Sequence, residues 1–165
     1  MPDHLAAFAR AADHLKPELT AHGLEVHAGR WLESDVLKLH KSSWLPRSAS
    51  GCGIFFSAWI DADALRLARV HYNIHALKLR QFPGHAIQSR DFAAAFRAAF
   101  ASSARSVGWP NLTLDHGPQT LFRGWIELAP ARLQSDLVAL SQRFIPVAPL
   151  IDELLARRAV STASP

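Results

Sequence analysis

Two histidines, His71 and His75, stand four residues apart in the run His-Tyr-Asn-Ile-His. Either a helix or a strand places residues at that spacing on one side, and neutral imidazoles so placed are candidate metal ligands. A zinc centre needs at least a third ligand, and the glutamate that follows the first histidine of the metalloprotease signature is missing here. His85 or His116 could join only through tertiary contact. With Asp61 or Asp115 as a distant carboxylate, the set would serve metal-assisted hydrolysis. The alternative is a structural or surface pair of histidines.

Positive charge is concentrated in the middle of the chain. From Ala64 to Pro110 there are seven cations (Arg66, Arg69, Lys78, Arg80, Arg90, Arg97 and Arg105) against Asp91 alone, a net +6 in a chain of net +4. The rest of the sequence is therefore −2. Fourteen of the eighteen basic residues are arginine, whose planar fork suits carboxylate and phosphate. The candidate ligand-binding residues are Lys78, Arg80, Arg90 and Arg97, together with Arg123 and Trp125 further along. Two features count against nucleic acid. Aromatic residues are scarcely interleaved with these cations, and arginine- and alanine-rich composition also arises from a GC-rich bacterial genome with the charges on a solvated face.

Arg123, Trp125 and Glu127 alternate with Phe122, Ile126 and Leu128, so the two sets occupy opposite faces of one strand. An arginine and a tryptophan on an uncovered face make a binding surface; under a covering helix they would be structural. Cys52, the one cysteine, lies between Gly51 and Gly53 on a turn where a nucleophile could sit, or is a small buried thiol. No Gly-x-Ser-x-Gly elbow, P-loop or Gly-x-Gly-x-x-Gly fingerprint occurs, and no cofactor is expected.

Elements must position these groups. Leu5, Phe8, Ala12, Leu15 and Leu19 predict an amphipathic helix from Asp3 to about Ala21, closed by Gly23 and kinked or split at Pro17. Strands are expected at Leu24–Trp31 and Asp35–Trp44, then a central strand through Ile54, Phe55, Phe56, Trp59 and Ile60, apolar on both faces. After a turn near Asp63 comes a strand from about Arg69 to Arg80, although Leu67, Val70, Ile74 and Leu77 also fit a helical stripe. Ser89 is the expected N-cap of a helix running to about Ser106. Leu112–Leu114 and Thr120–Ala129 predict a hairpin, followed by helices at Ala131–Phe144 and Leu150–Arg158.

The expected fold is one α+β domain over residues 1–158, with a mainly antiparallel sheet of five to six strands and helices packed on one face. Residues 159–165 are expected to form a disordered tail. Helix, three strands, helix and strand is also the order of the PD-(D/E)XK nuclease core. Its acidic residue two before a lysine is absent, and Glu33, Asp35, Lys38 and Lys41 are out of register, so only a degenerate relative would fit. Near Met1 no basic segment leads into an apolar run, and no stretch approaches ~20 apolar residues, so a cytosolic protein without a membrane partner is expected.

Three stretches have the look of motif blocks: Tyr-Asn-Ile-His-Ala-Leu-Lys-Leu-Arg, Ser-Arg-Asp-Phe-Ala and Gly-Pro-Gln-Thr-Leu-Phe-Arg-Gly-Trp-Ile-Glu-Leu. The expectation is a non-enzymatic binding or accessory module, its basic middle and the Arg123–Trp125 face taking an anionic ligand, a nucleic acid, a protein partner or a second copy of the chain. The alternative is the hydrolase or nuclease-like domain centred on His71 and His75.

Overall fold

The computed structural model describes residues 3–160. Helix α1 (His4–Ala21) starts where the Asp3 carboxylate accepts from the Ala6 N–H at 3.2 Å, supplying one of the unpaired donors of a helix start. It runs unbroken through Pro17. Leu15 and Leu19 are fully buried on either side of that exposed proline, so packing holds the two turns together.

Five strands follow: β1 (Glu25–Trp31), β2 (Ser34–His40), β3 (Gly53–Ile60), β4 (Arg69–Leu77) and β5 (Thr120–Glu127). They form one antiparallel sheet in sequence order, the α+β architecture the alternation predicts. Between β3 and β4 lies α2 (Ala62–Leu67), capped by Asp61. Between β4 and β5 lies α3 (Ser89–Ala101), and after β5 come α4 (Leu133–Phe144) and α5 (Ala148–Ala156).

Period-two alternation divides the sheet into two faces. Leu37 and Leu39 of β2, Ile54, Phe56 and Ala58 of β3, Val70, Tyr72, Ile74 and Ala76 of β4, and Phe122 of β5 are fully buried. They share a single core with Phe8 and Leu15 of α1, Phe92, Phe96 and Phe100 of α3, Phe144 of α4 and Ile151 of α5. Phe56 stacks on Phe144 at 4.9 Å between ring centroids, and Phe100 meets Phe122 at 5.3 Å. Rings at such separations add to the burial of their area.

Local boundaries shift for identifiable reasons. β2 stops at His40 because Ser42–Trp44 forms a 3₁₀ turn that buries Trp44, whose indole N–H donates to Asp152 at 2.8 Å. β4 stops at Leu77, before Lys78 adopts a left-handed conformation and Leu79–Gln81 forms another 3₁₀ turn. Ser89 is the first helical residue of α3 rather than its cap; Gln88 takes that position without a side-chain hydrogen bond. α3 ends at Ala101, five residues before Ser106. Leu112–Leu114 is not a strand, and only Thr113 bridges β5, exchanging two backbone hydrogen bonds with Arg123. Of the expected tail, Ala159 bridges His85 and the Val160 N–H donates to Gly84 at 2.9 Å; residues 161–165 lie outside those described.

Candidate functional site

β3 is not apolar on both faces. Its outward residues are Phe55, Ser57 and Trp59, and antiparallel register places each in a row that crosses the sheet. The middle row is polar throughout: His27, Lys38, Ser57, Asn73 and Arg123 are successive cross-strand partners. One neighbouring row runs Val36, Trp59, His71, Trp125, and on the other side His75 pairs with Phe55 and Thr120. A polar band thus crosses the outer face between aromatic borders.

Ser57 Oγ donates to Asn73 Oδ1 at 2.9 Å, and both side chains are buried at the centre of the band. At one end the Lys38 ammonium lies 4.4 Å from the Phe55 ring centroid and 5.2 Å from that of Trp31. Partial burial there pulls its pKa below the ordinary lysine value. Trp31 reaches this position by lying back over Gly29, where an added Cβ would meet its indole at 3.2 Å. At the other end the exposed Arg123 guanidinium sits 5.5 Å from the Trp59 ring centroid, within cation–π reach. With strands about 4.8 Å apart, the Lys38 and Arg123 backbones are separated by roughly 14 Å.

Residues of this face line a groove of about 430 Å³, among them Trp31, Lys38, Phe55, Trp59, His75 and Arg123. That volume suits a small ligand. Burial, followed by the charges of Lys38 and Arg123, lowers the pKa of His75 to about 4. His71, packed 5.5 Å from Trp59, is also shifted down, chiefly by burial. Both imidazoles are therefore neutral near pH 7. His71 Nε2 is buried without a hydrogen-bond partner among the described residues, a condition that native folds rarely leave unexplained.

No family model, curated protein or solved structure matches the chain.

The expected ligand-binding set divides into three. Lys78, Arg80 and Arg90 converge around a separate cleft of about 630 Å³, with Ser89 of α3 and Gln119 also in its lining. All three motif-like stretches of the sequence contribute to that cleft. Arg97 is engaged in the fold, donating to the carbonyls of Gly117 at 2.8 Å, Thr120 at 2.7 Å and Leu121 at 3.2 Å. Arg123 and Trp125 share the outer sheet face; Trp125 is half-buried there, with the Arg69 guanidinium stacked on its ring at 3.8 Å.

His71 and His75 share that face too, but in a strand four residues span about 13 Å. Such a distance excludes joint ligation of one ion by a direct pair. Asp61 is occupied in capping α2 and accepting the Trp59 indole N–H at 3.2 Å. Of the acidic and basic residues near β2, Asp35 lies on the core side, paired with Arg30, whereas Lys38 lies on the outer face. Cys52 is buried with its thiol directed to the Lys78 carbonyl at 3.3 Å, and burial raises its pKa; that environment disfavours a thiolate nucleophile.

Ser57 and Asn73 were not singled out by sequence; Lys38 entered only as an out-of-register nuclease residue, and Phe55 and Trp59 only as apolar residues of the central strand. The signal for them is the small polar Ser57 between two aromatics in an otherwise apolar strand, which marks a face that is not core.

Proposed function

We propose that the protein is a binding domain whose outer sheet face takes a small anionic, ring-bearing ligand between Lys38 and Arg123. The observation that carries this is the polar row Lys38–Ser57–Asn73–Arg123, bordered by Phe55, Trp59 and His75. Cations at both ends attract negative groups, aromatic faces accept a flat ring, and the central amide and hydroxyl set orientation. Neutral His71 and His75 offer further hydrogen-bonding nitrogens without adding charge.

Calorimetric titration with a panel of nucleotide-sized phosphates and carboxylates tests this. Expected is one-to-one binding that weakens with added salt and is lost in Arg123→Gln and Lys38→Met, both retaining the wild-type melting temperature. Failure of every anion to bind, or equal binding by both variants, would overturn it.

A second anion surface is supported by the convergence of Lys78, Arg80 and Arg90 on one cleft. Short single- and double-stranded nucleic acids are the probe there. Polarisation across a salt series should show affinity falling as salt rises, with a shallower slope in Arg90→Gln; salt-independent binding argues against phosphate contacts.

A further inference from the structure

We propose that Glu25, His27 and His40 bind a divalent transition-metal ion, zinc or a zinc-like ion, at the β1–β2 edge of the outer face. Glu25 and His27 are two apart on β1 and so share a side of the sheet. His40 is the direct cross-strand partner of Glu25 on β2. Two paired strands thereby present three donors to one point, and one ligand atom of each residue lies within 4.8 Å of the others. This is the one such group of three among the described residues.

Glu25 Oε2 and His40 Nδ1 are 3.5 Å apart. Donors bonded to one tetrahedral zinc at about 2.1 Å stand roughly 3.4 Å from each other, so this pair already has the required separation. The His27 and His40 rings are stacked, 5.3 Å between centroids with 17° between planes. His40 is anchored by burial, while Glu25 and His27 are exposed and free to close on an ion. A recess of about 490 Å³, lined in part by Lys16, Glu25, His27 and Ser42, gives access. Because the stacked rings hold their nitrogens in nearly parallel planes, the exposed His27 ring must turn out of the stack for both imidazoles to meet one ion.

The donor set selects the ion class. Two imidazoles and one carboxylate suit zinc, cobalt or nickel better than magnesium or calcium, which prefer oxygen throughout. His40 Nδ1 also lies 3.2 Å from the Lys41 carbonyl; an ion at that nitrogen replaces this contact, with the single ring proton of the neutral imidazole on Nε2. Three protein ligands leave a fourth position for water or a ligand oxygen. Two cations stand nearby: Lys16 in the lining of the recess, and Lys38, the cross-strand partner of His27, whose ammonium is turned onto Trp31 and Phe55.

This site does not depend on anion binding between Lys38 and Arg123. Zinc titration of the chelator-stripped full chain by calorimetry, with cobalt absorption reporting imidazole coordination, tests it. One ion per chain is expected. Glu25→Gln and His27→Gln, at exposed positions, should keep the wild-type melting temperature and each bind zinc at least ~10-fold more weakly, the lower end of what even outer-shell changes cost. His71→Gln with His75→Gln should leave zinc binding unchanged. No stoichiometric uptake by the wild type, wild-type affinity in both Glu25→Gln and His27→Gln, or loss in the His71/His75 variant would overturn the proposal. Anion titration of Glu25→Gln separates it from the fate of the groove.

Discussion

Ser57 and Asn73 face each other across β3 and β4, hydroxyl to amide oxygen at 2.9 Å, on the side of the sheet away from the core. Because the amide oxygen accepts from Ser57, the Asn73 NH₂ group is left to donate elsewhere. Ser57→Ala strands a buried acceptor and should cost about 1–3 kcal/mol. Denaturant unfolding measures this, and a Ser57→Ala/Asn73→Ala pair should lose less than the sum of the singles, since each removes the same bond.

Arg97 provides the contrast to Arg123. Its three carbonyl contacts hold the Gly117–Leu121 segment against α3. Arg97→Ala should lower stability by about 2–3 kcal/mol and leave anion titrations unchanged, whereas Arg123→Gln should do the reverse. Equal effects of the two on stability would contradict this division.

The outer face also fixes a pH response. His75 has a pKa of about 4 against an ordinary 6.5, because burial and then the charges of Lys38 and Arg123 disfavour its protonated form. The unfolded chain binds more protons over that interval, so stability falls as pH drops from 6.5 toward 4. The loss attributable to this residue is of order 3 kcal/mol. His75→Gln should flatten that part of a melting-temperature profile; a profile as steep as the wild type's would refute the assignment.

Gly124 lies on the core side of β5. A Cβ there would lie 2.2 Å from Tyr72 Oη. Tyr72 is fully buried, and its hydroxyl donates to the Pro110 carbonyl at 2.7 Å, so the ring has nowhere to move. Gly124→Ala should destabilise by about 3 kcal/mol or more, while Tyr72→Phe, which only forfeits the hydrogen bond, should cost nearer 1 kcal/mol. Melting curves of the two variants decide the order.

Strand content was legible because β1 to β5 carry alternating or apolar runs, and the single antiparallel sheet follows from their order. The two-faced character of β3 was not, since Phe55 and Trp59 are as apolar by composition as Phe56, and only the cross-strand partners Lys38 and Asn73 disclose that they border a polar band. Charge density along the chain could not forecast a patch either. Lys78, Arg80 and Arg90 converge through a turn and a helix start, but Arg97, two turns further along the same face of α3, is consumed by loop carbonyls. The histidine pair misled for a simpler reason: spacing of four means adjacency in a helix and distance in a strand. Glu25, His27 and His40 carry no spacing signal, because their proximity arises from hairpin register.

Every strand pairs with its neighbour in sequence, but one pairing is far from local. β1 to β4 are joined by short connections, whereas β5 joins β4 only after a segment of about 40 residues that includes α3. Loop closure makes that last pairing entropically the slowest to establish. Arg123 and Trp125 arrive with it, so a nascent chain can display the Lys38 end of the band before the Arg123 end exists, and the ligand capture proposed above, needing both cations, would report a finished domain.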